Sequence, residues 1–295
     1  DIGCHHRLYK LLKKLSPDAI NTYNFGTIEY HLTAFLAGVK TRVHSDHGHG
    51  GDAQDGLNKK NNFIRKVSSF FINDYVVVSQ DLMEWVTRVV KVKPQRLHLI
   101  QNGVDVPDSL ANIKTKVPKS PVICTVGRLD PVKNQTLLLN AFKIVHDKSA
   151  NARLKIVGDG PERENLEREA AQLKVTQFVD FMGYREDVRE QLITSDVFVL
   201  SSHYEAMPMT ILEAMAIGCP VVTTDVGGIR HFVDDTYVTY SSPGKAEELA
   251  EHLLRSLQYL PGQQEKIKKS FELVKSSYSL QAMAARYTSI YYNKN

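Results

Sequence analysis

Cysteine is scarce in this chain of 295 residues: there are three, Cys4, Cys124 and Cys219, far apart and mostly inside apolar segments. An odd, dispersed set argues against a disulfide framework and for reduced thiols in a cytosolic setting. No apolar run approaches the roughly 18–20 residues that a membrane span needs, and no secretory leader opens the chain. No sequence repeat recurs at a fixed short period. What remains is ordinary globular composition, 42% hydrophobic and 24% charged, with room for two domains that each bury a core.

The net charge of +4 is unevenly spread. Residues 1–120 hold 17 Lys/Arg against 11 Asp/Glu, and the remainder 20 against 22. The densest basic block, Lys59 to Lys66 (KKNNFIRK), is followed by Phe70 and Phe71, a mixture suited to an anionic membrane surface. The alternative is a solvated helix face with a core-facing apolar stripe.

Along the chain, short β-branched runs alternate with helical periodicity. Leu8, Leu11, Leu12 and Leu15 recur at helical spacing. Ala19 to Thr22, Lys40 to Ser45, Tyr75 to Ser79 and Leu97 to Ile100 read as strands, with helices over Thr27 to Ala37 and Gln80 to Val90. The Pro- and Asp-containing stretch Pro107 to Pro118 reads as the interdomain linker. The second half repeats the pattern: strands at Val122 to Val126, Arg153 to Val157, Phe178 to Phe181, Val197 to Leu200 and Pro220 to Thr223, each followed by a loop and, in most cases, a helix. Such alternation predicts parallel α/β sheets. A final helix, Leu280 to Tyr292, carries Met283, Tyr287 and Tyr291 on one stripe.

The stretch Val197 to Val222 combines a buried strand, a polar loop and a helix expected from about Met207 to Ile217, with Pro208 at its first position and Gly218 at its stop. A helix N-terminus attracts an anion. Glu205 falls just outside that helix and Glu213 about two turns inside it, two carboxylates suited to reading hydroxyls on a phosphate-bearing ligand. Four loops share the carboxyl rim of the second sheet: Gly127 to Lys133, Gly158 to Pro161, Met182 to Arg185 and Ser201 to Met209. The first offers Arg128 and Lys133, two cations beside Gly127, which suits a diphosphate.

The segments GRLDPVKN, VGDGPERENL, FMGYREDV, SSHYEAMPMTILEAMAIGCPVVTT and DVGGI, in that order and spacing, resemble the C-terminal domain of the retaining glycosyltransferases of family 4, which have the GT-B fold. In the first half SPDAINTYN, AGVKTRVHSDHG, VVVSQDL and LHLIQNGVD resemble the later part of that family's N-terminal domain. The DHG stretch with Asp55-Gly56 is similar, more weakly, to sugar transferases of exopolysaccharide and exosortase loci. The resemblance implies two Rossmann-like parallel-sheet domains facing a crevice: residues 1–108 on the acceptor side, 109–279 binding the nucleotide sugar, and helix 280–295 packing back toward the first domain.

It also implies roles. Arg128 and Lys133 would neutralise the diphosphate of a UDP- or GDP-sugar. Glu213, the second glutamate of the family's E-x7-E motif, would bond the ribose, and Glu205, the first, would lie at the donor sugar. The backbone from Ala206 and Met207 through Pro208 to Met209 would contact sugar or phosphate. Met182, Tyr184 and Arg185 would frame the base, with Asn102 and Gly103 near the crevice, and His47 would lean over the sugar near the reacting carbon. No metal, no bound cofactor and no nucleic acid is expected. The expected activity is metal-independent hexosyl transfer to a glycan or lipid-linked acceptor in cell-envelope or exopolysaccharide synthesis, in the cytoplasm or on the inner face of the membrane.

Three other readings stay open. Glu205 and Glu213 fit the acid and nucleophile of a glycoside hydrolase, but the cations then have no role. His44, His47 and His49 with Asp46 and Asp52 fit a metal site, and His47 also fits a structural hydrogen-bonded histidine. Departures from the family pattern support a different alternative. Nothing before Asp1 supplies the family's opening strand and glycine-rich turn, so the N-terminal domain is expected to be incomplete, and Arg230-His231 replaces a common glutamate. A catalytically impaired nucleotide-sugar-binding remnant or regulatory partner is the reading these departures favour.

Overall fold

The computed structural model describes residues 2–48, 58–110, 118–205, 207–258 and 261–292. The chain divides into two compact units, residues 1–102 with 281–295, and residues 103–280.

The first unit runs α1 (Ile2–Leu15), β1 (Ala19–Tyr23), α2 (Tyr30–Ala37), β2 (Thr41–Asp46), α3 (Lys59–Ser68), β3 (Asp74–Val77), α4 (Gln80–Trp85) and β4 (Leu97–Leu99). Its strands form a parallel sheet in the order β1-β2-β3-β4. β3 is buried along its whole length, and so after Asp74 its residues Tyr75, Val76 and Val77 read as a continuous apolar run rather than an alternating one. Gly38 ends α2 in the left-handed conformation, φ 87°, where a side chain would be strained.

The second unit runs β5 (Val122–Val126), α5 (Gln135–Lys148), β6 (Arg153–Val157), α6 (Arg163–Gln172), β7 (Val179–Gly183), α7 (Val188–Ile193), β8 (Val197–Leu200), α8 (Met209–Ala216), β9 (Val221–Thr224), β10 (Thr239–Ser241), α9 (Ala246–Ser256) and α10 (Pro261–Ser277). The six parallel strands lie in the order β10-β9-β8-β5-β6-β7. Strand alternation assigns the two faces. Ile123, Val197, Val199 and Val222 join one buried cluster with Leu138, Phe142 and Leu253. Their neighbours Cys124, Phe198, Leu200 and Val221 join another with Ile211, Met215 and Val274. β10 lies in the DDTYVTYSS stretch, which had no assigned element in the sequence; three residues are too few for a period to register.

The chain leaves β5 toward β6 and β7, then returns to the other side of β5 as β8 and continues to β9 and β10. Strand order therefore reverses between β5 and β8. In open α/β sheets the crevice outside the carboxyl ends at such a reversal is where ligands bind.

The last helix, α11 (Leu280–Tyr292), belongs from Gln281 onward to the first unit. Its Met283, Tyr287, Ile290 and Tyr291 pack on Val43, Val76 and Ile100. Two hydroxyls fix its rotation: Tyr287 with Ser45 Oγ at 3.1 Å, and Tyr291 accepting from Asn21 Nδ2 at 2.9 Å.

Candidate functional site

The loops after β5 and β8 meet at the reversal point. After β5 a short 3-10 turn, Pro131–Lys133, is capped by the Asp130 side chain, which accepts from Val132 N at 3.1 Å. Asn134 then enters the left-handed conformation, φ 49°, and caps α5. The turn directs Lys133 Nζ at Glu205 Oε1, 2.6 Å away, with the two side chains 24% and 8% exposed. Ser202 Oγ donates to the same carboxylate oxygen at 2.6 Å. Ser201 Oγ bonds the Lys133 carbonyl at 3.1 Å, His203 N the Val132 carbonyl at 2.7 Å, and Thr224 Oγ1 the Ser202 carbonyl at 2.7 Å. The loops after β5, β8 and β9 are thus one stitched surface, and Lys133 with Glu205 is its charged centre.

Glycines make this approach possible at specific points. A Cβ on Gly158 would stand 1.9 Å from the Gly127 carbonyl oxygen, and one on Gly227 2.2 Å from that of Glu205. Both also have positive φ, 134° and 55°. A Cβ at Gly127, in contrast, would meet only the Lys133 stem at 3.8 Å. The residue that demands closeness is therefore Gly158, in the GDGP loop, rather than Gly127.

The other expected site residues are distributed unevenly. Arg128 is 71% exposed and 3.7 Å from Asp130; it does not join the Lys133 contact. Tyr184 is exposed, and Arg185 forms a two-pronged pair with Asp187 at 2.7 Å on both arms, which holds that carboxyl well below its usual range. Met182, Met207 and Met209 are partly buried against the core on the α8 side of the sheet. Ala206 lies outside the described residues, as do His49, Asp52, Asp55 and Gly56. Pro208 is not the first helical residue: its ψ of 113° is extended, it occupies the cap, and α8 begins at Met209. Glu213 consequently sits just over one turn into the helix rather than two.

Glu213 is half-buried, and burial raises its pKa above the ordinary glutamate value. It lines a cleft of about 370 Å³ with Val188, Met209 and Arg189, and Arg189 is tied to Asp105 at 2.9 Å. Arg230, at the departure from the family pattern, is held between Asp225 and Asp235, each at 2.8 Å, and lies 3.9 Å over the Tyr240 ring. Ser202 and Gly227 are contributors that sequence reasoning missed; the only available signal was their place inside the SSHYE and DVGGI segments.

In the first unit, His47 follows β2 at its carboxyl end. It is exposed, its amide donates to Asn24 Oδ1 at 3.1 Å, and its ring lies 5.9 Å from that of Tyr23. Desolvation lowers its pKa despite the attraction of Asp46.

Beneath it is a fully buried polar chain. Thr22 Oγ1 bonds both His31 Nε2 and His44 Nδ1 at 2.7 Å; His44 Nε2 faces Asp46 Oδ1 at 3.6 Å; and Asp46 Oδ2 accepts from Arg65 Nε at 3.2 Å and Tyr75 OH at 2.5 Å. The hydroxyl of Thr22 carries one proton. The Thr22 hydroxyl can therefore donate to only one of the two imidazoles, and the other must donate to it.

Arg65 is 1% exposed and its guanidinium lies over Phe25 and Trp85, at 4.6 and 5.2 Å. The reading of Arg65 as part of a basic surface block is therefore corrected: Asp46 draws it inward, and Lys59, Lys60 and Lys66 remain outside. His44 and Asp46 are committed to this chain. Among the described residues no group of three or more His, Cys, Asp or Glu is arranged to hold a metal.

Two parallel α/β sheets in one chain, with charged loops gathered at the strand-order reversal of the second, define a GT-B-type protein. Solved structures agree on the fold. Anabaena Alr3699/HepE in complex with UDP matches 97% of this chain and 80% of its own, with a TM-score of 0.79 at 17% identity. The apo lipopolysaccharide outer core galactosyltransferase WaaB matches 99% and 79%, with a TM-score of 0.71 at 19% identity.

The model of glycosyl transferases group 1 matches residues 108–271, and that of Glycosyltransferase Family 4 matches residues 1–107. The chain belongs to glycosyltransferase family 4. It is 30% identical over 247 residues to an Escherichia coli UDP-Gal:alpha-D-GlcNAc-diphosphoundecaprenol alpha-1,3-galactosyltransferase, covering 78% of this chain. Over 207 residues it is 30% identical to the putative glycosyltransferase EpsF of Bacillus subtilis, covering 66%. It spans 63% and 53% of the length of these two relatives.

Proposed function

We propose that the protein transfers a sugar, with retention, from a UDP-sugar to a glycan or lipid-linked acceptor in envelope or exopolysaccharide synthesis. The observation that carries this reading is the Lys133–Glu205 contact at the strand-order reversal. A UDP-sugar donor is favoured by the E. coli relative, whose name specifies UDP-Gal and a diphosphoundecaprenol-linked acceptor. The family resemblance supplies the remaining roles.

The chemistry follows from charge. The bond between the anomeric carbon and the diphosphate oxygen breaks, and its electrons go to the phosphate. The acceptor hydroxyl then bonds the same face of the carbon, and its proton passes to the departing diphosphate. Charge develops on that diphosphate and positive character on the sugar ring. Preorganised cations at the leaving oxygen are the largest available stabilisation. Lys133 provides one from a fixed position and Arg128 a second from a solvent-facing one. This charge supply underlies the proposal of metal-independent transfer. Glu205, held by Ser202, accepts hydroxyls of the donor sugar, and Glu213 accepts those of the ribose.

Glu213→Ala is expected to weaken UDP binding at least tenfold by calorimetry. Glu205→Ala should leave UDP affinity within about threefold and slow transfer by two orders of magnitude or more, because an interaction made only at the sugar appears in turnover. Equal losses of UDP affinity in the two variants would refute this division of labour.

Acceptors of the lipid-linked kind place the work at a membrane surface. Among the described residues no helix is long and apolar enough to cross a membrane. Exposed Phe63, Val67 and Phe70 beside Lys59, Lys60 and Lys66 offer a peripheral contact instead. Each lysine near an anionic surface contributes about 1 kcal/mol. Reversing all three to Glu should reduce co-sedimentation with phosphatidylglycerol vesicles ~100-fold or more; undiminished co-sedimentation refutes the contact.

A further inference from the structure

The sharpest backbone anomaly in the first unit stands beside His47. Asn24, directly after β1, has φ 61° and ψ 165°, a region that is essentially reserved to glycine. Strain of this kind persists only where surrounding contacts impose it. Here they are explicit. The Asn24 amide donates to the Ser45 carbonyl at 2.9 Å, its own carbonyl accepts from Thr27 N at 3.2 Å and from Thr27 Oγ1 at 3.1 Å, and its side-chain Oδ1 accepts from His47 N at 3.1 Å. The last registered pair of β1 and β2 is Tyr23 with Ser45, so Asn24 ties the two residues that flank Asp46. Asp46 is meanwhile anchored from below by Arg65 and Tyr75.

We propose that Asn24 is a positioning residue for His47: its left-handed backbone sets Oδ1 on the His47 amide and so aims the imidazole at the carboxyl-end rim of the first sheet. The proposal rests on the assignment of His47 to the donor sugar. The choice of residue is the argument. If the turn needed only positive φ, glycine would serve without strain. Asparagine is strained at this position and adds a side-chain amide that glycine lacks, whose oxygen accepts from His47 N. Tyr23 closes on the ring from the same strand end, and among the described residues Asp46 and His44 are the charged or titratable groups whose electrostatic influence reaches it.

Asn24→Gly separates positioning from structure. A merely structural role predicts equal or higher stability with His47 unchanged. Positioning predicts equal or higher stability together with a displaced imidazole. In the full chain labelled with ¹⁵N-histidine, the His47 titration, assigned by its loss in His47→Ala, should move back up toward the ordinary histidine value in Asn24→Gly; Asn24→Asp keeps the acceptor but adds a charge that itself raises the imidazole, so it is read by turnover alone. UDP release from UDP-glucose and UDP-galactose should fall at least tenfold in kcat for Asn24→Gly with the donor KM within twofold, and return to within threefold of native in Asn24→Asp.

Combining Asn24→Gly with His47→Ala should be no slower than His47→Ala alone, because one substitution acts through the other residue. An unmoved His47 titration in Asn24→Gly, or additive losses in the double variant, overturns the proposal. Full activity in His47→Ala overturns the His47 assignment and the positioning role with it. UDP binding that is insensitive to Lys133 would instead strike the transferase reading, independently of Asn24.

Discussion

Lys133→Ala is expected to cut UDP affinity by about 10- to 100-fold and to reduce transfer further. A charge-assisted hydrogen bond to phosphate contributes about 1.5–3 kcal/mol, and each 1.4 kcal/mol is a factor of ten. Turnover should lose more than binding, because the diphosphate gains charge as it departs. The same substitution strips a partner from Glu205, whose side chain is 8% exposed. Removing one member of a desolvated pair is more costly than removing both. Lys133→Ala should therefore also lower the unfolding midpoint of the second unit, and adding Glu205→Gln should recover that midpoint without recovering UDP binding. Calorimetric titration with UDP and denaturant unfolding read the two effects separately. UDP affinity unchanged in Lys133→Ala removes the diphosphate assignment.

The second large effect belongs to the buried chain of the first unit. Arg65→Met leaves the Asp46 carboxylate, which is fully buried, without its cation, and an uncompensated buried charge costs about 3–5 kcal/mol. Trp85, the sole tryptophan, lies 5.2 Å under the Arg65 guanidinium and reports this unit by fluorescence. Asp46→Asn combined with Arg65→Met should recover most of the loss, since a whole pair replaced by uncharged side chains is often near neutral.

The chain also makes the unit acid-labile. Burial, then His44 and Arg42, lower His31 to about 3. The folded state keeps His31 neutral while the unfolded chain takes a proton near pH 6.5, so the unfolded state binds the extra proton between those values. Stability thus falls as pH falls through that window, by up to about 1.4 kcal/mol per pH unit. Asp46 adds to this at lower pH. Burial pushes its carboxyl up, but His44, Arg65 and Tyr75 outweigh that and hold it below the ordinary aspartate value. Its contribution is present above the unfolded pKa and is lost on further acidification. A Trp85 unfolding midpoint that does not shift between pH 7 and pH 5 contradicts the account, and His31→Gln should flatten the slope.

How far the site was legible depends on the range of the interactions that make it. β5 and β8 are visible as short apolar runs because burial on both faces is a local requirement on residue type. β10, three residues long, is not. That Lys133 and Glu205 would each lie at the carboxyl rim follows from their loops; that they would touch does not, because 72 residues separate them. Arg65 illustrates the limit best. On a helical wheel it is another cation of a basic face, and only Asp46, from a strand 19 residues earlier, turns it inward. Asn24 is the same lesson in backbone form, since no residue type announces a ψ of 165° at positive φ.

The sequence by itself determined the parallel α/β architecture, the family, and the chemical kinds of side chain that gather on each loop, because periodicity, turn residues and segment order are properties of the chain. Only the tertiary structure decided which charges neutralise which. Arg185 is held by Asp187 and Arg230 by Asp225 and Asp235, Arg65 is sequestered with Asp46, and Lys133 meets Glu205. The reason is electrostatic: in a partly desolvated site the energy of a charge depends on distances of a few ångströms, and those are set by the folding of segments far apart in the chain.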